Sequence, residues 1–427
     1  MFQQPLLHYS PSRHFPTKTH DSESRATVSK QSLVSRPRSS ASMQQIYLDN
    51  NATTPMLPAV AEAMAEAYAE GYANPASQHQ CGQRARRVLE EAREEITTML
   101  GGRTSGMKAD RLVFTSGGTE SNNLALRGFS GGREGNLIVS SIEHPSIASV
   151  AEQLAREGRD VRTLTVSQDG VTQIDSLHHL LDDQTRIVSV ILGNNETGVL
   201  QPVREIAAIC QERDVPMHTD AVQAVGKIPV DFGTLGVSAL SLSAHKFHGP
   251  QGIGGLLQRH DATPDPLFFG GFQQNGIRPG TEPIVLAIGM LTALRIWKLN
   301  ATDREERLKG LRDQLEQQLL CEGGNIVVNG ADATRLPHTT NVSFVGLDRQ
   351  AILMALDVAG VACSTGSACA SGSSEPSPVL LNMGLAADVV EGSIRISLGA
   401  ATTAEQVDKA IHRILAVCGR LRRSETC

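Results

Sequence analysis

Six short apolar runs recur between Arg111 and Leu256: Arg111 to Thr115, Asn136 to Ser140, Arg186 to Leu192, Val215 to Thr219, Ser238 to Leu242 and Ile253 to Leu256. The stretches between them are mostly helical in pattern, and helices also fit Pro58 to Tyr68 and Gln83 to Leu100. Strand and helix alternating in this way predict an α/β fold with a mostly parallel sheet covered on both faces. After about Asn300 the pattern changes. A charged helix (Asp303 to Leu320), short strands (Ile326 to Asn329, Asn341 to Val345) and helices at Asp348 to Val358 and Glu405 to Leu421 predict a second, smaller α+β domain. The expected division is a large domain over 59–299 and a small domain built from 44–58 and 300–427. The last helix opens on Thr402 and Glu405 at capping-box spacing.

Residues 1–43 break this order. They are rich in Ser, Pro, Thr and basic residues, and Pro5, Pro11, Pro16 and Pro37 interrupt any amphipathic helix. The segment is expected to be a disordered extension rather than an import signal. The first 42 residues hold six of the 39 Lys and Arg and two of the 45 Asp and Glu, leaving the body 33 basic and 43 acidic groups. That acidic balance argues against nucleic acid as a partner. No apolar run approaches the roughly 18–20 residues of a membrane span, so a cytoplasmic protein is expected. Seven scattered cysteines fit free thiols in a reducing compartment. Cys210 and Cys418 have the spacing of small core residues.

Chemistry concentrates at the ends of the apolar runs. Lys246 lies in Ser243-Ala244-His245-Lys246-Phe247-His248-Gly249-Pro250, directly after a strand. A crowded loop there could lower a lysine's pKa and make it a Schiff-base nucleophile; a solvated loop lysine is the alternative. Ser116-Gly117-Gly118-Thr119-Glu120-Ser121-Asn122-Asn123 is a small polar turn entering a helix, which suits a phosphate or a plain tight turn. Asp220 follows another strand, with Gln223 a turn away; it could pair with a protonated pyridine nitrogen, cap a helix, or do both. His144 could stack on a planar cofactor, and Asn195 could bind a ring oxygen or only shape its turn. Cys363 to Ser377 is a long stretch of small residues, read as a mobile loop carrying a thiol. Its two cysteines, Cys363 and Cys369, have no second pair at zinc spacing, so no stable metal site is expected.

These pieces occur in the order of a known family. With Tyr47-Leu48-Asp49-Asn50-Asn51-Ala52-Thr53-Thr54-Pro55, Asn74-Pro75-Ala76-Ser77 with His79, Asn194 to Gly198 and Arg278-Pro279-Gly280-Thr281, the chain from Ile46 to Leu421 resembles cysteine desulfurases of the NifS/IscS type, within the class V aminotransferase superfamily. The resemblance implies pyridoxal-phosphate fold type I, the large domain binding the cofactor and the small one carrying the cysteine loop. It implies that Lys246 holds pyridoxal 5'-phosphate as a Schiff base and removes the α-proton, that Asp220 pairs with the ring nitrogen, and that His144 stacks on the ring. Gln223 and Asn195 would contact the ring oxygen or substrate. Gly118, Thr119, Ser243 and His245 would hold the phosphate, with Thr281 coming from the neighbouring subunit of a homodimer. Arg395 would clamp the carboxylate of L-cysteine. Cys369 would take its sulfur as a persulfide, leaving L-alanine, and pass it to an acceptor such as an iron-sulfur scaffold or a thio-cofactor pathway, meeting a cluster only in passing. The rival readings are a selenocysteine lyase, another class V lyase or aminotransferase, and a non-enzymatic sulfur carrier or scaffold. Phe272, Gln274 and the pair Ala400-Ala401 depart from the family's usual residues, and are expected near the dimer and loop regions.

Overall fold

The structure, a computed structural model, describes residues 45–131, 134–366 and 375–425. The expected extension over 1–43 and the thiol Cys369 lie outside the described residues. The described residues belong to one compact unit. Its strands are β1 (Ile46–Tyr47), β2 (Arg111–Thr115), β3 (Asn136–Ser140), β4 (Asp160–Leu164), β5 (Thr185–Ser189), β6 (Met217–Asp220), β7 (Ala239–Ser243), β8 (Gly254–Gln258), β9 (Ile326–Val328), β10 (Thr339–Phe344), β11 (Val361–Ala362) and β12 (Ser393–Ser397).

Seven of these form one sheet in the order β2-β8-β7-β6-β5-β3-β4. The four pairings among β3 to β7 are parallel, while β8 runs antiparallel to both β7 and β2. The carboxyl ends of β2, β3, β5, β6 and β7 therefore share one edge, where open α/β sheets place their ligands. All six apolar runs are strands. β4 escaped the sequence reading because its Asp-Val-Arg-Thr-Leu is an edge strand with an exposed start and no apolar run.

The first helices are α1 (Pro58–Ala69), α2 (Gln80–Met99), α3 (Gly118–Ser130) and α4 (Pro145–Arg156). Ala85, Leu89, Ala92 and Ile96 of α2 fall on one face and are buried, and Leu89 and Ile96 are fully so. Burying each of those two stabilises the fold by about 1.5–3 kcal/mol. The helix starts three residues before the expected Gln83 because His79 caps it, its Nδ1 accepting from Gly82 N at 3.2 Å. The helix Ile284–Leu299 packs on α1 and α2 and is apolar on nearly every side, which removes the periodicity that would reveal it.

A second, three-stranded sheet, β12-β10-β9, is antiparallel. Helices Ala301–Glu322 and Ala404–Glu425 share its separate apolar cluster, which includes Leu315, Phe344, Ile394 and Ile411. The capping box of the last helix is one residue later than expected. Thr403 N donates to Gln406 Oε1 and Gln406 N to Thr403 Oγ1, while Thr402 Oγ1 instead accepts from Gly399 N.

Gln274 shows why an amide suits its position. β2 is an edge strand, and the Gln274 side chain completes it: Oε1 accepts from Phe114 N at 2.7 Å and Nε2 donates to Phe114 O at 2.8 Å. A carboxylate there could satisfy the N–H but not the carbonyl. Among the described residues no single helix is long and apolar enough to cross a membrane, and no cluster of three His, Cys, Asp or Glu could hold a metal.

Candidate active site

Five strand ends converge on one cavity of about 160 Å³. β7 delivers Ser243 and, through a single 3-10 turn, Lys246. Lys246 Nζ donates to the carbonyls of Asn51 and Ala52 at 2.6 and 2.9 Å. The segment after β1 is laced to the same turn: Thr54 N and Oγ1 both donate to His245 O, and His248 N donates to Thr54 Oγ1. His248 adopts a left-handed φ of 67°, and its Nε2 accepts from Ala400 N, one of the departures seen in the sequence. Lys246 is thus a tightly held side chain, not a solvated loop lysine.

Asp220 ends β6 and is 3% exposed. Its Oδ2 accepts from Asn122 Nδ2 at 2.6 Å and its Oδ1 from Val222 N at 2.9 Å. No helix begins there, so helix capping does not explain it. Burial pushes the carboxyl above its ordinary range; the Val222 and Asn122 hydrogen bonds and the Lys246 charge pull the other way. A cation within the cavity would offset that cost.

His144 caps α4. Its Nδ1 accepts from Ser146 N at 3.1 Å, which assigns the ring proton to Nε2. Burial first, then the Lys246 and Arg395 charges, pushes its pKa down to about 4, so the imidazole is neutral at neutral pH. His245 is pushed to about 4 for similar reasons, and its Nδ1 lies 3.1 Å from Thr53 Oγ1. The turn after β5 supplies Asn195, whose carbonyl accepts from Asn51 Nδ2 and from Arg395 Nη1, each at 3.1 Å. Arg395, on β12, is 1% exposed and also donates Nη2 to Asp49 Oδ1 at 2.7 Å.

Among the described residues, several polar atoms of the cavity wall find no protein partner. Asn122 Oδ1, Asn195 Oδ1, Gln223 Oε1, Ser243 Oγ and Arg395 Nε are all buried and unsatisfied, and all five residues line the cavity. Such groups are costly unless a ligand completes them. In the same lining α3 begins at Gly118, and the first N–H groups of a helix have no intrahelical acceptor, which favours an anion. A Cβ on Gly118 would lie 2.7 Å from Val222 Cγ2 and 3.5 Å from Ser243 Cβ, so only glycine leaves the cradle open. The combination fits a planar ligand with an anionic tail, a cationic ring nitrogen and a carbonyl for the Lys246 amine.

Gly118, Thr119, His144, Asn195, Asp220, Gln223, Ser243, His245, Lys246 and Arg395 all border this cavity. Thr281 does not; it is exposed, on the loop that Arg278 ties to Glu120 of α3. Asn51 and Asn122 went unassigned in the sequence, since one acts through its carbonyl and the other, in the second turn of α3, meets Asp220 from almost a hundred residues away. Cys363 is described and partly buried, and burial pushes its thiol up to about 12.

The class-V aminotransferase family model matches residues 46–410. An IscS-like cysteine desulfurase of Mycobacterium tuberculosis is 42% identical over 388 residues, covering 88% of this chain and 97% of its own. Cysteine desulfurase IscS of Dictyoglomus turgidum is 39% identical, with coverage of 89% and 96%. Among solved structures, a NifS-like protein from Rickettsia africae superposes with a TM-score of 0.79 at 31% identity, over 88% of this chain and 99% of that one. SspA in complex with cysteine superposes with a TM-score of 0.71 at 32% identity, over 84% and 99%. The site and these likenesses agree, and the chain belongs to the class-V aminotransferase family, among its NifS/IscS-type cysteine desulfurases.

Proposed function

We infer that this protein is a pyridoxal-phosphate-dependent cysteine desulfurase that converts L-cysteine to L-alanine and takes the sulfur onto Cys369. The observation that carries the reading is the buried Asp220 carboxylate and the Lys246 amine facing one cavity whose wall keeps five buried polar atoms unsatisfied. The fold is that of pyridoxal-phosphate fold type I, and the solved relative described as bound to cysteine supports the substrate class.

Pyridoxal phosphate, when bound, supplies an electron sink for negative charge developing at the α-carbon. Lys246 would hold it covalently and, once released, carry the α-proton on its amine. Asp220 would keep the ring nitrogen protonated, which repays the cost of burying the carboxylate. His144, neutral, would lie against the ring without adding charge. Gly118, Thr119, Ser243 and His245 would receive the phosphate at the start of α3. Asn195 and Gln223 would contact the ring oxygen or the substrate, Asn195 by turning its amide, and Gln223 through the unpartnered Oε1 while its Nε2 stays on Asn51 O. Arg395, with Nε still available, would orient the substrate carboxylate.

Cys369 would attack the substrate sulfur as a thiolate: the S–S bond forms, the C–S bond breaks, and its electron pair stays with the carbon that becomes alanine. Thr281, exposed and outside this cavity, is proposed to serve the neighbouring subunit of a homodimer. The persulfide would pass to an acceptor for iron-sulfur or thio-cofactor synthesis. Borohydride reduction of the loaded protein tests the cofactor reading; the adduct is expected on Lys246, and its absence there would sink it. A Lys246→Ala variant is expected to release no alanine from L-cysteine.

A further inference from the structure

Lys227 is 6% exposed, and among the described residues its amine has no carboxylate partner. Its Nζ lies 3.3 Å from Nε2 of His338, a fully buried imidazole just before β10. The same Nε2 is 2.9 Å from Asn51 Oδ1, which Thr339 Oγ1 also approaches at 3.2 Å. Asn51 Nδ2 donates to Asn195 O and Thr339 Oγ1, and Asn51 N donates to Ser397 Oγ at 2.9 Å. Asn51 is therefore fixed from several sides, and its carbonyl receives both Lys246 Nζ at 2.6 Å and Gln223 Nε2 at 3.0 Å. A buried lysine without a counter-ion is costly.

We propose that His338 is a positioning residue for Lys246: its Nε2–H donates to Asn51 Oδ1, and through that side chain it fixes the carbonyl that receives the Lys246 amine. The inference rests on the reading of Lys246 as the cofactor anchor. When the amine is free of the cofactor, the Asn51 and Ala52 carbonyls hold it in reach of the cavity, and as acceptors they favour its protonated form. Burial, then the Lys246 charge, pushes Lys227 down to about 7, and in its neutral form the amine can accept from the same Nε2–H that Asn51 Oδ1 receives. The other titratable groups coupled to Lys246 are Asp220, His144 and His245, while His338 faces Lys227, Arg312 and His248. All of these stay in place in the variants below.

The test measures the Lys246 amine itself. The full-length chain, freed of pyridoxal phosphate, is labelled with limiting acetic anhydride across a pH series, and the Lys246 peptide is quantified by mass spectrometry. His338→Ala is expected to lower the labelling midpoint by about one unit, because a fixed acceptor of the ammonium is lost. His338→Gln, whose amide can still donate to Asn51 Oδ1, is expected to restore most of the shift. Asn51→Ala should reproduce the lowering and carries the test if His338→Ala does not melt cooperatively. Midpoints equal to wild type in the variant that folds, or a His338→Gln no better than His338→Ala, would overturn the proposal. Borohydride reduction of the loaded wild-type chain is run alongside: failure to label Lys246 there defeats the cofactor reading and leaves the midpoint comparison to stand or fall on its own.

Discussion

Replacing Asp220 with Asn should shift stability in opposite directions without and with cofactor. In the chain alone, the carboxylate is buried and its pKa raised, so the folded state binds a proton more readily than the unfolded one. Its cost is therefore absent at low pH, grows as pH rises above the unfolded value of 3.8 and is complete once pH exceeds the raised one. Asn removes that cost, and Asn122 can turn its unpartnered Oδ1 toward the new amide. The cofactor-free variant is expected to melt at or above the wild-type temperature near pH 7.5. With pyridoxal phosphate the balance reverses, since a ring cation loses its buried partner. Losing one member of such a pair costs about 2–5 kcal/mol, which at about 1.4 kcal/mol per decade weakens cofactor binding by roughly 30-fold to a few thousand-fold. The assay pairs thermal melts with absorbance titration of pyridoxal phosphate and alanine release from L-cysteine. A variant that binds cofactor and turns over within about threefold of wild type would refute the assignment of Asp220.

Gly118→Ala puts a methyl 2.7 Å from Val222 Cγ2; the overpacking should cost about 1–3 kcal/mol and weaken pyridoxal phosphate binding by about tenfold or more, read by melting and by titration. Arg395→Lys loses the fixed fork that reaches Asp49 and Asn195 O, so KM for L-cysteine should rise by about 30-fold or more in steady-state kinetics, with a lower melting temperature. His144, His245 and His248 are each pushed down to about 4 by burial, below the unfolded value of 6.5. Their stabilisation is complete above that value and is lost as pH falls toward the folded one, by up to about 2 kcal/mol per histidine between pH 6.5 and 5. Glu143, pushed up to about 8, works in the opposite direction and offsets part of this. Urea unfolding should show net destabilisation across that interval, and a flat profile would contradict the buried-histidine account.

The site was legible where chemistry and strand ends coincide. Lys246, Asp220 and His144 each follow an apolar run, and that placement already suggested a cofactor before any contact was known. The sequence could not reveal work done by backbone or by distant partners. Asn51 matters through a carbonyl, and the Lys227–His338 pair joins residues more than a hundred positions apart. β4 was missed because an edge strand buries too little to show a run, and Ile284–Leu299 because a helix buried on most sides has no polar face. The helix that His79 caps began early because histidine is not among the usual capping residues. Gln274 is a departure whose sense lies only in the fold, where its amide pairs with both backbone groups of Phe114.

The division of labour between Lys246 and Cys369 is tested most directly by loading the protein with pyridoxal phosphate, adding L-cysteine carrying isotopically labelled sulfur, and mapping the label by mass spectrometry. The expected result is a labelled persulfide on Cys369, with one alanine per sulfur, and none in Cys369→Ala. Label on Cys363 instead, or undiminished turnover in Cys369→Ala, would contradict it.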